Sequence, residues 1–242
     1  MNYYVTYDPV TGLVTGWFQS GGPPTNGVSY IIVTGPQIAQ LATAGAPMAW
    51  TVQNGFLAAP TPASMLAATQ KSQLAVLGVS CMQAIYGGFT TTVNGASAQV
   101  TLREGNTNHD QTNALMASVA AQGAIQQSTT WSPSASADPR TVKTDGKGGY
   151  YITFNGGTTG TVQPVWLTAF STPVQDGSVV WYRMGFRIST TTGAIIVDPP
   201  DAVALFGQGV EFINNMRAQY ESLKAQILAA STVAEVQAVI WS

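Results

Sequence analysis

Short turn signals between strand-like runs are the feature that most constrains the fold of this chain. The segment DPVTG at residues 8–12 separates two runs of β-branched and aromatic residues between positions 2 and 18; its proline fixes φ and its glycine permits a positive φ. Asn-Gly pairs at 54–55 and 94–95 lie between similar runs, which is the strongest short signal for a β-hairpin. Because hairpins join antiparallel strands, the sequence predicts antiparallel sheet.

Other strand-like runs lack such compact turns. A run at 28–33 predicts a strand, and a short helix is predicted around residues 35–45. Runs rich in valine and aromatic residues predict strands at 150–155, 162–170 and 178–189. The stretch 126–149 is rich in Ser, Thr, Pro and Gly, which predicts a long connection.

Two further helices are predicted before residue 130. Between about 64 and 86 the apolar residues, including Cys81, fall on one helical face, which predicts an inert buried thiol. A second helix is predicted to begin near Asn106 or Asn108, because either side chain can cap a helix. Three large residues of this second helix are predicted to point inward: Leu115, Met116 and Val119.

The last long helix is predicted at about 199–229, where Asp198 is a good N-cap and Pro199 suits the first turn. Its apolar residues recur at spacings of three and four, as in the seam of a coiled coil. A helix that packs within its own domain needs the same stripe, so internal packing and self-association both remain open. The predicted seam includes two residues of the closing segment: Phe206, Ile213, Met216, Tyr220, Leu223, Ile227, Ile240 and Trp241.

The closing segment STVAEVQAVIWS carries its own helix start, since Thr232 and Glu235 have the spacing of a capping box. Its apolar residues must be covered by this chain or by another. The elements together predict an α+β fold. Residues 1–60 form a small strand-rich module, and residues 61–242 place helices on an antiparallel sheet and end in a long helix plus a short terminal helix.

Charged residues are scarce. Only 20 of 242 residues (8%) are charged, against about a quarter in typical domains, while the apolar content of 45% is ordinary. Such a surface suits a protein covered by neighbours in an assembly, because a freely diffusing enzyme keeps more charge for solubility. No basic cluster predicts a nucleic-acid partner. No apolar run predicts a membrane span, and no signal peptide is evident, so a soluble protein made in a cytoplasm is expected.

No catalytic, cofactor or metal site is predicted. His109 is the only histidine and Cys81 the only cysteine, which leaves too few groups for a metal cluster or a nucleophile–base pair. Asp198 and Asp201 form a close carboxylate pair of the kind that glycosidases use, but helix capping explains both. Aromatic rings in the strand-rich part can stack on sugars, with Trp166 and Trp181 as candidate glycan contacts; core packing is the alternative.

Several segments resemble, in the same order, a domain of unknown function in bacteriophage tail proteins: LGVSCMQAIYGGFT, DQTNALMASVAA, VVWYRMGFRI and RAQYESLKAQILAASTVAEVQAVIWS. The opening MNYYVTYDPVTGLVTGWF resembles the N-terminal module of tail-fibre and fibre-assembly proteins. The resemblance covers most of the chain, and the closing stretch is its most distinctive part. Residues 126–175 are longer than is usual in that family, which implies a strand-rich insertion.

The resemblance implies a non-enzymatic structural component of a phage tail, in the fibre or baseplate region. Such a protein is made in the host bacterial cytoplasm and resides in the virion. Its implied partners are other tail proteins and copies of itself, held through large permanent interfaces, and no cofactor is implied. Two alternatives remain: a tail-fibre assembly chaperone that leaves before the particle is complete, and a receptor-binding module that contacts a host surface glycan through Trp166, Trp181 or nearby tyrosines.

Overall fold

The computed structural model describes residues 2–24, 27–43, 50–93, 95–105, 107–170 and 172–242. The chain forms two compact units, one made of Met1–Ser80 with Gln219–Ser242 and the other of Cys81–Ala218. Helices and antiparallel strands are combined in the described part of the chain, so the predicted α+β class is confirmed. The predicted module at 1–60, domain at 61–242 and insertion at about 126–175 stay predictions.

The first unit opens with a three-stranded antiparallel sheet in the order β2-β1-β3. Asp8 Oδ1 closes the first turn by accepting hydrogen bonds from the N–H groups of Val10 (2.8 Å) and Thr11 (3.1 Å). Gly12 follows with a φ of +70°, a conformation that favours glycine. The predicted N-terminal hairpin is therefore confirmed. The strands are β1 (Asn2–Tyr7), β2 (Val14–Ser20) and β3 (Tyr30–Val33).

Helix α1 (Gly35–Thr43) and a second hairpin, β4 (Thr51–Gln53) with β5 (Phe56–Ala58), complete this strand-rich part. Asn54 and Gly55 both have positive φ, 52° and 79°, as the type I′ turn predicted by Asn-Gly requires. The predicted hairpin covers residues 48–60, and its first two residues lie outside the described residues. The core here is mainly aliphatic: Val5, Val14, Val33, Ile38, Leu41 and Trp50.

Helices form the rest of the first unit. The amides of Gln70 and Gln73 donate hydrogen bonds to the carbonyl oxygens of Ile227 (3.0 Å) and Val239 (2.6 Å), which fastens the end of the chain to α2. The helices are the first part of α2 (Pro62–Gly87), the last part of α4 (Pro199–Ala229) and all of α5 (Val233–Ala238). Their shared apolar cluster contains Leu66, Leu74, Leu77, Tyr220, Leu223, Ile227, Val236, Val239 and Trp241.

The predicted capping box at the start of α5 is confirmed. Thr232 Oγ1 accepts a hydrogen bond from the Glu235 N–H at 3.2 Å, and Glu235 Oε2 accepts one from the Thr232 N–H at 3.1 Å. The closing apolar residues have different environments: Trp241 packs against the helical cluster, whereas Ile240 is 64% exposed. This chain therefore covers part of its own terminal segment.

The second unit contains a four-stranded antiparallel sheet in the order β16-β15-β7-β6. Helix α3 (Asp110–Gln127) packs on β15, and the first part of α4 contributes to the same core. Asn94 of the predicted turn between β6 and β7 lies outside the described residues. The strands are β6 (Phe89–Val93), β7 (Ala96–Val100), β15 (Phe186–Thr190) and β16 (Gly193–Val197).

A five-stranded sheet, in the order β13-β14-β11-β10-β8, forms the other part of the second unit. Its pairings are antiparallel except for β8 with β10. The strands are β8 (Thr129–Thr130), β10 (Val142–Thr144), β11 (Tyr150–Thr153), β13 (Val174–Asp176) and β14 (Val179–Arg183), with a separate pair of β9 (Ser136–Ala137) and β12 (Gly157–Thr158). The predicted long connection at 126–149 therefore contains three short strands.

Two strand predictions in this region are wrong. Residues 162–170 form no strand, and the run at 178–189 is divided between β14 and β15, which belong to different sheets. The division falls at Gly185, where an added Cβ would meet Ile196 and would lie 2.6 Å from the Phe170 ring. Packing therefore leaves no room for a side chain at Gly185, and the β-propensity of the neighbouring residues does not predict a break between two strands there.

Candidate functional site

Helix α3 faces the sheet with small side chains, opposite to the prediction. Leu115, Met116 and Val119 are 45%, 64% and 58% exposed, so the prediction that they point inward is wrong. The physical reason is close packing, because small side chains let the helix lie close to β15, where larger ones would not fit. The buried residues of α3 are Asp110, Ser118, Ala121 and Ala124.

Asp110 fixes the rotation of α3. Its Oδ2 accepts hydrogen bonds from Thr101 Oγ1 (2.8 Å) and Arg103 Nε (2.9 Å). Burial opposes ionisation of this carboxyl, but hydrogen bonds from Thr101, Arg103 and Ser189 outweigh it and lower the pKa of Asp110. An ionised, buried acid with these partners holds the first turn of α3 in one orientation, so the exposure of the large apolar residues is a fixed feature of the fold.

The start of α3 also differs from the prediction. The N-cap is His109, whose side chain makes no capping bond, instead of Asn108; Asn106 lies outside the described residues. Glu104 instead pairs with a backbone group at the N-terminal end of α3, since its Oε2 accepts a hydrogen bond from the Thr112 N–H at 3.3 Å. Glu104 Oε1 lies 3.1 Å from His109 Nδ1, and this hydrogen bond lowers the pKa of the Glu104 carboxyl.

A cleft of about 350 Å³ lies between α3, α4 and the four-stranded sheet. Its polar groups are already engaged: Gln111 Nε2 donates to the Leu102 carbonyl at 2.7 Å, and Glu104 pairs with His109. The rest of the wall is almost entirely apolar. We call the exposed apolar part of α3 together with the α4 side of this cleft the α3–α4 surface; it consists of Leu115, Met116, Val119, Phe206, Val210 and Ile213.

The residues of the predicted seam lie in several different environments. Phe206 and Ile213 are partly buried and line the cleft, whereas Met216 is partly buried outside it. Ile240 is exposed. Four seam residues pack inside the first unit, in the helical cluster described above: Tyr220, Leu223, Ile227 and Trp241. The structure thus assigns internal packing to those four, and leaves the other members free for either role.

Neither candidate tryptophan is well placed for a glycan. Trp181 is fully buried and its Nε1 donates to Asp176 at 2.9 Å, so its ring cannot stack on a sugar. Trp166 is partly buried between Tyr151 and Trp181, at ring-centroid distances of 4.2 and 6.1 Å. Core packing, the alternative reading of these aromatics, describes both positions.

An exposed aromatic pair lies on the same five-stranded sheet. Phe154 is 63% exposed, Tyr182 is 38% exposed, and their ring centroids are 5.6 Å apart. The nearby tyrosines of the sequence prediction include Tyr182, but Phe154 was not predicted, and the sequence alone does not separate Tyr182 from its aromatic neighbour Trp181. Only the strand register, which pairs Ile152 with Tyr182, decides which of the two faces outward.

Asp198, predicted as a helix N-cap, forms an ion pair. Its carboxylate accepts hydrogen bonds from Arg183 Nε (3.0 Å) and Nη2 (2.6 Å), and both side chains are largely buried. The hydrogen bond from Arg183 to Asp198 raises the pKa of the guanidinium. The guanidinium also lies over the Phe170 ring, 5.0 Å from its centroid. These contacts give Asp198 a structural role within the second unit.

Within the described ranges, no group of three or more His, Cys, Asp or Glu side chains is arranged to hold a metal ion. No helix in those ranges has both the length and the apolar character needed to cross a membrane. No protein-family model, curated protein or solved structure matches this chain. The α3–α4 surface is therefore selected as the candidate site on its geometry alone.

Proposed function

We propose that this chain is a structural component of a bacteriophage tail, in the fibre or baseplate region, and that it acts through subunit contacts. The tail context rests on the resemblance of its sequence segments to phage tail proteins. The contact role rests on one observation: the α3–α4 surface exposes large apolar side chains on a helix whose rotation is fixed by Asp110.

Exposed apolar side chains in this arrangement favour a binding role. Removing apolar surface from water contributes roughly 25 cal/mol per Å², so covering Leu115, Met116 and Val119 stabilises a complex. Isolated exposed apolar residues are common, but a cluster beside an apolar cleft is typical of interaction sites. The scarcity of charge, 8% of residues, supports the same proposal, because interface centres are depleted of charged residues.

Mass spectrometry of purified particles tests this function. We expect peptides of this chain in particles from the source phage, in a fixed ratio to the other tail proteins. An assembly chaperone has similar sequence features but leaves the particle, so its peptides would be missing from mature particles and present in assembly intermediates. That distribution would contradict the structural role and support the chaperone.

A receptor-binding role is the second candidate, favoured by the exposed Phe154–Tyr182 pair. The two rings are inclined to each other at 49°, so each offers its own apolar face to a sugar ring, and neighbouring polar groups are needed to orient the sugar. A glycan array with the wild-type chain and Tyr182→Ala tests this role. Binding lost on Tyr182→Ala supports the receptor role, whereas an empty array removes it and leaves the structural role unaffected.

A further inference from the structure

We infer that the α3–α4 surface binds a second copy of this chain, with the exposed residues of α3 from one copy seated in the cleft of the other. This inference rests on the proposed function, because it names the partner of the same surface. Shape, local charge and net charge each support a second copy as the occupant.

The α3–α4 surface carries both a projection and a recess. Met116 and Val119 project from α3 at 64% and 58% exposure, and the recess is the adjoining cleft of about 350 Å³. Leu115 belongs to both, since it lines the cleft and lies one helical turn before Val119. A surface with both shapes can pair with its own copy, which is the condition for a self-complementary interface.

The charge distribution also fits a second copy. The sequence has no charged residue between Asp110 and Asp138 or between Asp201 and Glu211, and these two segments supply every residue of the α3–α4 surface except Ile213. Glu211 is exposed on α4 two residues before Ile213. Copies that meet through the same surface bring identical groups together, so like charges there would repel. Glu104 is the one charged residue that lines the cleft among those described, and it is already paired with His109.

The low net charge of the chain is also compatible with a second copy as the partner. The chain carries a formal charge of −2 over 242 residues, so two copies approach each other with little repulsion. A partner selected by opposite charge would need several charges of one sign around the apolar residues, whereas residues 202–213 of α4 carry Glu211 alone and Glu104 is paired with His109. The surface is thus suited to a partner as neutral as itself.

Mixed disulfide formation tests the seating of α3 in the cleft. One chain carries Met116→Cys and a second chain carries Val210→Cys. The two chains bear tags of different size and are mixed under mild oxidation. We expect the mixed disulfide to form at least about tenfold faster than in a mixture of Ile240→Cys with Val210→Cys, because proximity raises the effective concentration of the two thiols. Ile240 is as exposed as Met116, and native Cys81 is buried, so the wild-type chain serves as the unreactive control. Equal rates in the two mixtures would overturn the inference.

Light scattering gives a second readout. At tens of micromolar, the wild-type chain is expected to show a mass above the 25.3 kDa of one copy. The single variants Met116→Glu and Val119→Glu are each expected to show the mass of one copy, with an unchanged circular dichroism spectrum. The control Ile240→Glu keeps the larger mass. A wild-type monomer, or dissociation by Ile240→Glu instead of Met116→Glu, overturns the inference. The proposed function is judged separately by particle mass spectrometry: a monomer found in particles binds another tail protein.

Discussion

Asp176 shows how one buried carboxylate can organise a β-rich core. It is 4% exposed and accepts hydrogen bonds from the indole N–H groups of Trp131 (2.8 Å) and Trp181 (2.9 Å) and from the Gly160 N–H (2.7 Å). An ionised carboxylate offers only acceptors, which matches three converging donors. The local sequence around Asp176 gives no sign of this role, because its indole partners lie 45 and 5 positions away.

Asp176→Asn is therefore expected to lower the free energy of unfolding by about 2–3 kcal/mol. The substitution keeps the shape of the side chain but turns an NH₂ group toward N–H donors. Urea unfolding followed by tryptophan fluorescence measures the effect. Asp138→Asn is the matched control, since Asp138 is exposed, and its effect is expected to stay within about 0.5 kcal/mol. Equal effects of the two substitutions would show that the three-donor arrangement contributes nothing.

The pKa of Asp110 predicts a dependence of stability on pH. Burial works against ionisation, but the hydrogen bonds from Thr101, Arg103 and Ser189 prevail and lower the pKa in the folded chain below the ordinary value of 3.8. The unfolded chain thus takes up the proton first as the pH falls. The stabilisation is complete above pH 3.8 and is lost as the pH falls through the folded-state pKa.

Asp110→Asn isolates this contribution. The variant is expected to be less stable than wild type at neutral pH, with the difference in unfolding free energy shrinking as the pH falls below 3.8. Urea unfolding of both proteins at a series of acidic pH values measures the difference. Other carboxyls with lowered pKa values, such as Glu235, titrate in both proteins and cancel. A difference that is independent of pH would contradict the assignment.

At the scale of elements, helix α3 reverses the usual amphipathic arrangement. Its buried face is built from alanine and serine, and its large apolar side chains are exposed. A small inward face brings the helix close to β15, and the hydrogen bonds of Asp110 to Thr101 and Arg103 set its rotation. Leu115, Met116 and Val119 therefore remain on the exposed face of α3, where they are available for contacts with other chains.

Two substitutions on α3 test this reversal. Ala121→Leu is expected to lower the unfolding free energy by about 2–3 kcal/mol, because Ala121 is fully buried and a larger side chain overpacks the contact with the sheet. Val119→Ala is expected to change it by no more than about 0.5 kcal/mol, since Val119 is exposed and alanine favours helix. Thermal and urea unfolding of both variants provide the comparison. A larger loss for Val119→Ala would mean that Val119 belongs to the core.

The sequence predicted the elements whose signals are local. Asn54-Gly55 supplies both positive φ values of its turn, and Thr232 with Glu235 forms the capping box over three residues. The errors arose where distant residues decide the outcome. Between β14 and β15, Phe170 and Ile196 leave no room for a side chain at Gly185, and both residues are distant in sequence. The candidate site belongs to the second kind, because the rotation of α3 depends on side chains outside the helix.

At the scale of the whole molecule, the proposed assembly role gives scarce charge and exposed apolar helix residues a common explanation. The apolar residues needed for folding are held in four separate cores among the described residues, and the exposed residues of α3 belong to none of them. In the proposed tail role, neighbouring subunits would cover the surface that a solitary protein would keep polar. The α3–α4 surface is where we expect that cover.

Oxidation of Met116 inside purified particles tests most directly whether the α3–α4 surface is covered. Exposed methionine is converted to its sulfoxide, and Met116 is 64% exposed in the structure of the single chain. We predict rapid oxidation of Met116 in the dilute free chain and strong protection in particles, both measured by peptide mass spectrometry. Oxidation of Met116 at the same rate in particles as in the free chain, or particles without this chain, would contradict the assembly role.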